Sequence, residues 1–323
     1  VFAVAQKDSH HLVFGQVDGT KHIEMKPDGS LVQEVTDAWE DGTVCGPKGR
    51  WHHESLLQPD EKVYFLGSEI RGVDINGTVR PQTGDTINVW DQKQGTVSTL
   101  ASLFDFLDPR VNRTPASNHN RGDFYWHGCD RGENSEDWTH SNALWVDDKG
   151  SFVVSIRHLN QIISISPDLE TIQWRLGGIG SDFTFPDPND RFYHQHSAKV
   201  LPNGNILLFD NGNGRPPPQG GPFSRALELE LDMTTMQARK VWEYRHSPSL
   251  FAACCSSVQR LDNENTVMIF GADHLNDVCC RTFTLVEADS KGNAVFIMWV
   301  SSRGQAAQYR AYALDSINGE TKK

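Results

Sequence analysis

The feature that most constrains this chain is a recurring unit of four short apolar runs separated by turns rich in Asp, Gly and Asn. Between residues 137 and 178, "SNALWV", the turn "DDKG", "SFVVSI", "QIISIS", the turn "PDLE" and "TIQWRLGG" give four strands in series. Residues 193 to 246 repeat the plan with "SAKVL", "PNGN", "ILLFD", "ALELEL" and "ARKVWEY". A third copy runs from "SSVQRLDNENTVMIFG" through "TFTLVEADSKGNAVFIMWV". Iteration of a four-strand unit of about 40 to 50 residues predicts an all-β fold, a β-propeller of four-stranded antiparallel blades around a central channel. A pair of β-sandwiches also supplies many short strands, but nothing in it calls for the same unit three times in succession.

The N-terminal half follows the plan less cleanly. "HHESLLQPDEKVYFLGSEI", "GVDIN" and "TINVWDQ" make a further blade, while "HHLVFGQ", "KHIEMKPDGSLVQEV" and the C-terminal "YRAYAL" make one closed by pairing of both chain ends. Five blades are readable in this way, and residues 1–323 read as a single propeller domain. Helices are almost absent; only "LASLFDFL" reads as a helical turn or two. Residues 108–136 read as a long irregular loop over the channel mouth, and "GNGRPPPQGGPF" as a second loop.

A formal net charge of −12 argues against nucleic acid or an anionic membrane surface as partner, since both repel such a protein. No stretch approaches the roughly 18 to 20 consecutive apolar residues of a membrane span. A small anionic substrate then needs a local cationic pocket. The six cysteines form no C-x-x-C spacing, which disfavours a zinc ribbon and favours disulfides. Asn76 in "NGT" and Asn112 in "NRT" match the glycosylation pattern, so the sequence predicts a secreted or lumenal glycoprotein whose leader has been removed.

In a propeller, residues at the start of the innermost strand project near one face. His140 stands just before "SNALWV", His196 just before "SAKVL" and His53 just before "ESLLQP", equivalent positions in three blades that predict convergence at one end of the channel. Arg157 comes from the second strand of the His140 blade, where the turn folds it back beside that histidine. Singly, each histidine reads equally well as a hydrogen-bonded structural residue; the shared blade position is what points to chemistry. His52, His158, His194 and His274 read singly as structural or surface residues, and His127, in "YWHGC", falls on the lid loop.

Three histidines and an arginine suit two chemistries. Neutral imidazole binds zinc and iron, but a permanent cation beside a divalent metal is unfavourable unless an anion lies between them. The alternative is histidine as nucleophile and acid–base catalyst, with the other cations holding a transferring anionic group. Phosphoryl transfer would bring magnesium with carboxylates, or a glycine-rich phosphate loop, and the sequence has neither motif. A sulfuryl group, with less charge, needs only histidines and arginine.

At these residues the sequence resembles the PAPS-independent arylsulfate sulfotransferase (ASST) family, from about residue 50 onwards. "DWTHSNALWVDDKGSFVVSIRHLNQIISIS" is similar to the family's histidine-x-asparagine strand followed by its serine-x-arginine-histidine strand, and "QHSAKVLPNGNILLFDNG" to its glutamine-histidine segment. The resemblance implies six blades, no cofactor and no metal, and a ping-pong transfer from a phenolic sulfate ester to a phenolic acceptor. It implies that His196 becomes sulfated, that His140 and Asn142 contact the sulfuryl oxygens and the leaving phenol, that Arg157 neutralises charge, and that His53 is the first-blade histidine, with His52 as its possible equivalent. His52, His158 and His127 join Asn142 as expected substrate contacts, and the partner is a small anionic or aromatic molecule.

The chain also departs from the bacterial pattern. It is expected to lack the extra N-terminal β-domain of bacterial members, has Glu54 where aspartate is expected, and carries vicinal cysteines Cys254–Cys255 and Cys279–Cys280, for which pairing across strands is less strained than within a dipeptide. These departures suggest a eukaryotic branch. Two other readings fit the scaffold: a lyase or isomerase using His140, His196 and a tyrosine as acid and base, and a propeller that binds an anionic ligand without turning it over.

Overall fold

Short turns between apolar runs leave each strand only its sequence neighbour to pair with, and every sheet is accordingly an antiparallel meander in chain order. The computed structural model describes residues 4–8, 11–15, 21–26, 28–36, 48–112, 135–271, 282–301 and 309–313. Five four-stranded blades make an all-β propeller. The first holds β1 (Val4–Asp8), β2 (His11–Gly15), β3 (Lys21–Met25) and β4 (Leu31–Thr36). The second holds β5 (Lys48–Leu57), β6 (Lys62–Ile75), β7 (Thr78–Asp91) and β8 (Thr96–Ser102), with the two-residue β9 (Glu136–Asp137) parallel to β7. The third holds β10 (Ser141–Val146), β11 (Phe152–Ile156), β12 (Gln161–Ile165) and β13 (Ile172–Gly177). The fourth holds β14 (His196–Val200), β15 (Ile206–Asp210), β16 (Arg225–Asp232) and β17 (Gln237–Tyr244), and the fifth β18 (Ser257–Arg260), β19 (Thr266–Phe270), β20 (Thr282–Ala288) and β21 (Ala294–Ser301).

The sixth blade implied by the family resemblance is not shown: five such sheets are present among the described residues. All four strands of the first sheet come from residues 4–36, while Tyr309–Ala313 lies along β18, with the Ala311 and Ala313 amides bonded to the Ser257 and Gln259 side chains. "LASLFDFL" is mostly not helical. Its first three residues finish β8, and the Ser102 hydroxyl then accepts the Phe104 amide to start a single 3-10 turn at Leu103–Asp105. Of the long loop, residues 113–134 lie outside the described residues.

The repeat is legible in its turns. Asp147 accepts the Lys149 and Ser151 amides, Asn203 the Asn205 amide and Asn263 the Asn265 amide, so one Asx device joins the first two strands of the third, fourth and fifth blades. Strand alternation then builds the core. In β15, Ile206 and Leu208 pack with Val153, Ile162 and Leu176 of the third blade, while Leu207 and Phe209 pack with Val258, Met268 and Phe270 of the fifth. A strand covered on both faces reads as an unbroken apolar run, which is why "ILLFD" and "FVVSI" show no polar alternation.

The chain divides into two compact units: Val1–Leu144 with Asp168–Thr171 and Leu314–Lys323, and Trp145–Pro167 with Ile172–Ala313. The first has its own core of Val13, Trp51, Val63, Phe65 and Trp90. Buried Glu24 reaches from β3 to accept the side-chain amides of Gln33 and Gln92, tying the first two blades.

Candidate functional site

In the first unit, the adjacent histidines His52 and His53 sit inside β5, where the register with β6 slips between His52 and Ser55. Such a bulge re-aims side chains that strand alternation would otherwise send to opposite faces. His53 adopts a left-handed φ of 59°, and its Nδ1 lies 2.8 Å from the Nδ1 of His52. His52 Nε2 is 3.2 Å from Asp85 Oδ1. The other oxygen of Asp85 accepts the Thr139 hydroxyl at 2.6 Å and the Ser141 amide at 2.5 Å, so a buried carboxylate on β7 grips both neighbours of His140.

His140 itself takes a φ of 51° and faces Asp137 through Nδ1 at 2.5 Å. The carboxylate can only accept there, so Nδ1 carries the proton it shares with Asp137 and Nε2 is the nitrogen directed elsewhere. The rings of His53 and His140 stand 5.1 Å apart, edge to face. His52, His53, Asp85, Asp137 and His140, with Ser68 and Thr83, line one pocket. A left-handed conformation costs a non-glycine residue about 1–3 kcal/mol, and two such residues in one pocket are held by the hydrogen bonds just described. Asn142 is fully buried two residues further on.

The second unit builds the surroundings of His196 and Arg157. His196 heads β14 opposite Phe209 at a second register slip, between His196 and Lys199, with His194 and Ser197 left-handed on either side. Gln195 anchors the approach: its amide donates to the Ser155 hydroxyl and to the carbonyls of Ile156 and Gln161. His196 is buried, its Nδ1 2.7 Å from Asn211 Oδ1, and the Tyr309 ring stands edge-on 6.2 Å away. Asn211 and Gly212 follow β15 directly; Gly212 has a φ of 80°, and a Cβ there would lie 2.0 Å from the Phe223 carbonyl oxygen, so the turn admits only glycine.

Arg157, just past β11, is 7% exposed. Its Nη2 donates to the Ala253 carbonyl at 3.2 Å, the carbonyl that Asn213 also binds. Among the described residues no carboxylate pairs with Arg157, and its Nε has no hydrogen-bond acceptor. Arg215 and Arg225 in the same unit differ: both bond Asp210, and Arg225 also bonds Glu243. Guanidinium burial without an anion is costly, and among the described residues no side chain supplies one to Arg157.

Of the residues singled out in the sequence, His52, His53, His140 and Asn142 thus fall in the first unit, the first three around one pocket. His196, Arg157 and His158 fall in the second, with the His158 ring 5.9 Å from that of His194. His127 lies outside the described residues, as do Cys279 and Cys280; the Cys254 and Cys255 sulfurs are 3.4 Å apart. Sequence reasoning missed Asp85, Asp137 and Asn211. Asp137 was findable as a carboxylate three residues before a histidine in "DWTH", whereas Asp85 has no local signal and "FDNG" reads as turn chemistry alone.

The arylsulfotransferase (ASST) family model matches residues 46–310. Arylsulfate sulfotransferase AssT of Escherichia coli O6:H1 is 26% identical over 210 residues, 54% of this chain and 35% of that protein, so the chain spans about a third of that relative's length. Among solved structures, a protein of unknown function from Bacteroides caccae superposes with a TM-score of 0.53 at 13% identity, over 92% of this chain and 81% of that one, a likeness of fold alone. Virginiamycin B lyase from Staphylococcus aureus superposes at a TM-score of 0.43 and 8% identity, over 94% and 84% of the two chains.

Proposed function

Because the chain belongs to the arylsulfotransferase (ASST) family, we propose that it is an aryl sulfotransferase moving a sulfuryl group from a phenolic sulfate ester to a phenolic acceptor, with His196 as the carrier. In the first half-reaction His196 Nε2 attacks the ester sulfur, the N–S bond forms, and the S–O bond to the aryl oxygen breaks with its electron pair leaving on the phenol. In the second, an acceptor phenol oxygen attacks the same sulfur, loses its proton, and regenerates the imidazole. Passing through a covalent histidine intermediate splits one difficult displacement into two easier ones.

The observation that carries this reading is the buried Arg157 guanidinium with no carboxylate partner among the described residues. In a protein of net charge −12, such a cation is best explained by an anionic substrate group, and a sulfuryl oxygen is a planar fork's natural acceptor. Arg157 stabilises charge on the sulfuryl oxygens. His140, with Nδ1 committed to Asp137, offers Nε2 for the leaving or entering phenol oxygen, and Asn142, His53, His52, His158 and His127 are the proposed substrate contacts. Secretion, glycosylation at Asn76 and Asn112, disulfides and a eukaryotic origin belong to the same proposal; Asn76 stands exposed at the tip of the β6–β7 hairpin.

The test is turnover of a chromogenic aryl sulfate with and without added phenol. Phenol-dependent release of the chromophore that vanishes in His196→Ala and falls about 10²–10³-fold in Arg157→Lys supports the reading. Release unaffected by His196→Ala, or no release with any of a panel of aryl sulfates, overturns it.

A further inference from the structure

We infer that Asn211 is the positioning residue that commits His196 to the tautomer with hydrogen on Nδ1 and the lone pair on Nε2. The inference rests on the reading of His196 as a sulfuryl carrier for its functional meaning, but its physical content does not depend on it.

The two ends of the Asn211 amide face different partners. Asn211 Nδ2 lies 2.7 Å from the Ala252 carbonyl oxygen and 3.2 Å from that of Cys255. Carbonyl oxygens only accept, so the nitrogen of the amide must face them; the opposite assignment would press an amide oxygen against two others. The amide oxygen therefore points at His196, and it too can only accept. At 2.7 Å from His196 Nδ1, it requires that nitrogen to be the donor in the neutral ring. A neutral imidazole protonated on Nδ1 has its nucleophilic lone pair on Nε2.

Asn211 is itself fixed. It follows β15, its side chain is buried, and the Ser224 hydroxyl donates to its carbonyl at 2.7 Å while accepting the Ala252 amide at 2.8 Å. Ser224 thus fixes the Asn211 backbone, and turning the side-chain amide would break its bonds to Ala252, Cys255 and His196. The carbonyls that orient it belong to the stretch Ala252–Cys255 whose Ala253 carbonyl Arg157 also holds. One four-residue segment thus sets the tautomer of the carrier and seats the guanidinium.

The experiment is long-range ¹H–¹⁵N correlation of the imidazoles in the full ¹⁵N-labelled chain without substrate, the His196 signals being identified by their loss in His196→Gln. Wild type is expected to show a protonated Nδ1 and an unprotonated Nε2 at neutral pH. Asn211→Leu, which is similar in size and cannot accept, loses that pattern, and kcat for aryl sulfate falls by about 10²–10⁴-fold, as when a triad histidine is left in the wrong tautomer, with KM little changed. Asn211→Asp keeps the accepting oxygen and restores the tautomer, but its second oxygen meets the Ala252 and Cys255 carbonyls and lowers stability; it also moves the imidazole titration and the acidic limb of the pH–rate profile upwards, a response that a merely structural residue would not give. If wild-type His196 carries its proton on Nε2, or if Asn211→Leu leaves the tautomer unchanged, the inference is overturned. Should Asn211→Leu not fold, the wild-type and Asn211→Asp spectra decide. A protein with the Nδ1–H tautomer and no turnover of any aryl sulfate retires the proposed reaction and leaves this assignment standing.

Discussion

Asp137 holds His140 by the ring nitrogen nearest the backbone, Oδ2 to Nδ1 at 2.5 Å across three residues of sequence. The pair fixes which nitrogen is available for work and stabilises the imidazolium that forms when that nitrogen takes a proton. Replacing the carboxylate should therefore impair proton transfer more than binding. Asp137→Ala is expected to lower kcat for an aryl sulfate by about 100-fold with KM within a few-fold of wild type, and Asp137→Asn, which can still accept, to recover part of the loss. Steady-state kinetics on both variants check this.

Asp85 organises the same pocket from the neighbouring blade strand, and its role is structural as well as positional. Asp85→Ala leaves the Thr139 hydroxyl, the Ser141 amide and the His52 ring without their acceptor in a buried setting. Chemical denaturation should show a loss of about 2–4 kcal/mol.

Arg157 and Asp210 make opposite predictions about buried charge. Asp210→Ala strands the buried Arg215 guanidinium and leaves Arg225 with Glu243 alone, and should cost about 3–5 kcal/mol. Arg157→Met removes a buried cation that no described carboxylate neutralises, and should leave the protein at least as stable as wild type while abolishing turnover. Thermal melts of the two variants side by side decide whether Arg157 is a functional or a structural cation.

The architecture was legible in the sequence wherever local chemistry and repetition coincided. The turns at Asp147, Asn203 and Asn263 are hydrogen-bonded by side chains the sequence displays, and the apolar runs between them form the strands expected. "LASLFDFL", expected to make a helical turn or two, makes a single 3-10 turn because pairing of β8 with β7 claims its first residues. His140 and His196 were found because they stand at the head of the first strands of their blades; His53 was expected there too, but β5 begins at Lys48 and places it mid-strand, at the bulge. What makes them chemically distinct was not readable: Asp85 is 54 residues from Thr139, and the Asn211 amide is oriented by carbonyls 41 and 44 residues away. Contacts of that range depend on blade stacking, which no local pattern reports.

His22 supplies a pH dependence separate from the site. It is buried among Trp51, Phe65 and Trp90, with Nε2 2.8 Å from the Ser55 hydroxyl, and burial lowers its pKa from the ordinary 6.5 to about 3. Between those values the unfolded chain binds a proton that the folded chain does not. The stability due to this group is therefore full above pH 6.5 and declines as pH falls towards 3, by up to about 1.4 kcal/mol per pH unit. Urea titrations from pH 7 to pH 4 should show a shallower decline for His22→Gln than for wild type.

The central claim is that a sulfuryl group passes through His196, and the most direct measurement is to look for it there. The full chain is mixed with an aryl sulfate in the absence of acceptor, quenched in alkali, digested, and the peptides fragmented by mass spectrometry. The account predicts one added sulfuryl group on the His196 imidazole, discharged when a phenol is supplied before quenching and absent in His196→Ala. A modification on another residue, or phenol-dependent turnover with no enzyme-bound sulfuryl group at any time, would contradict it.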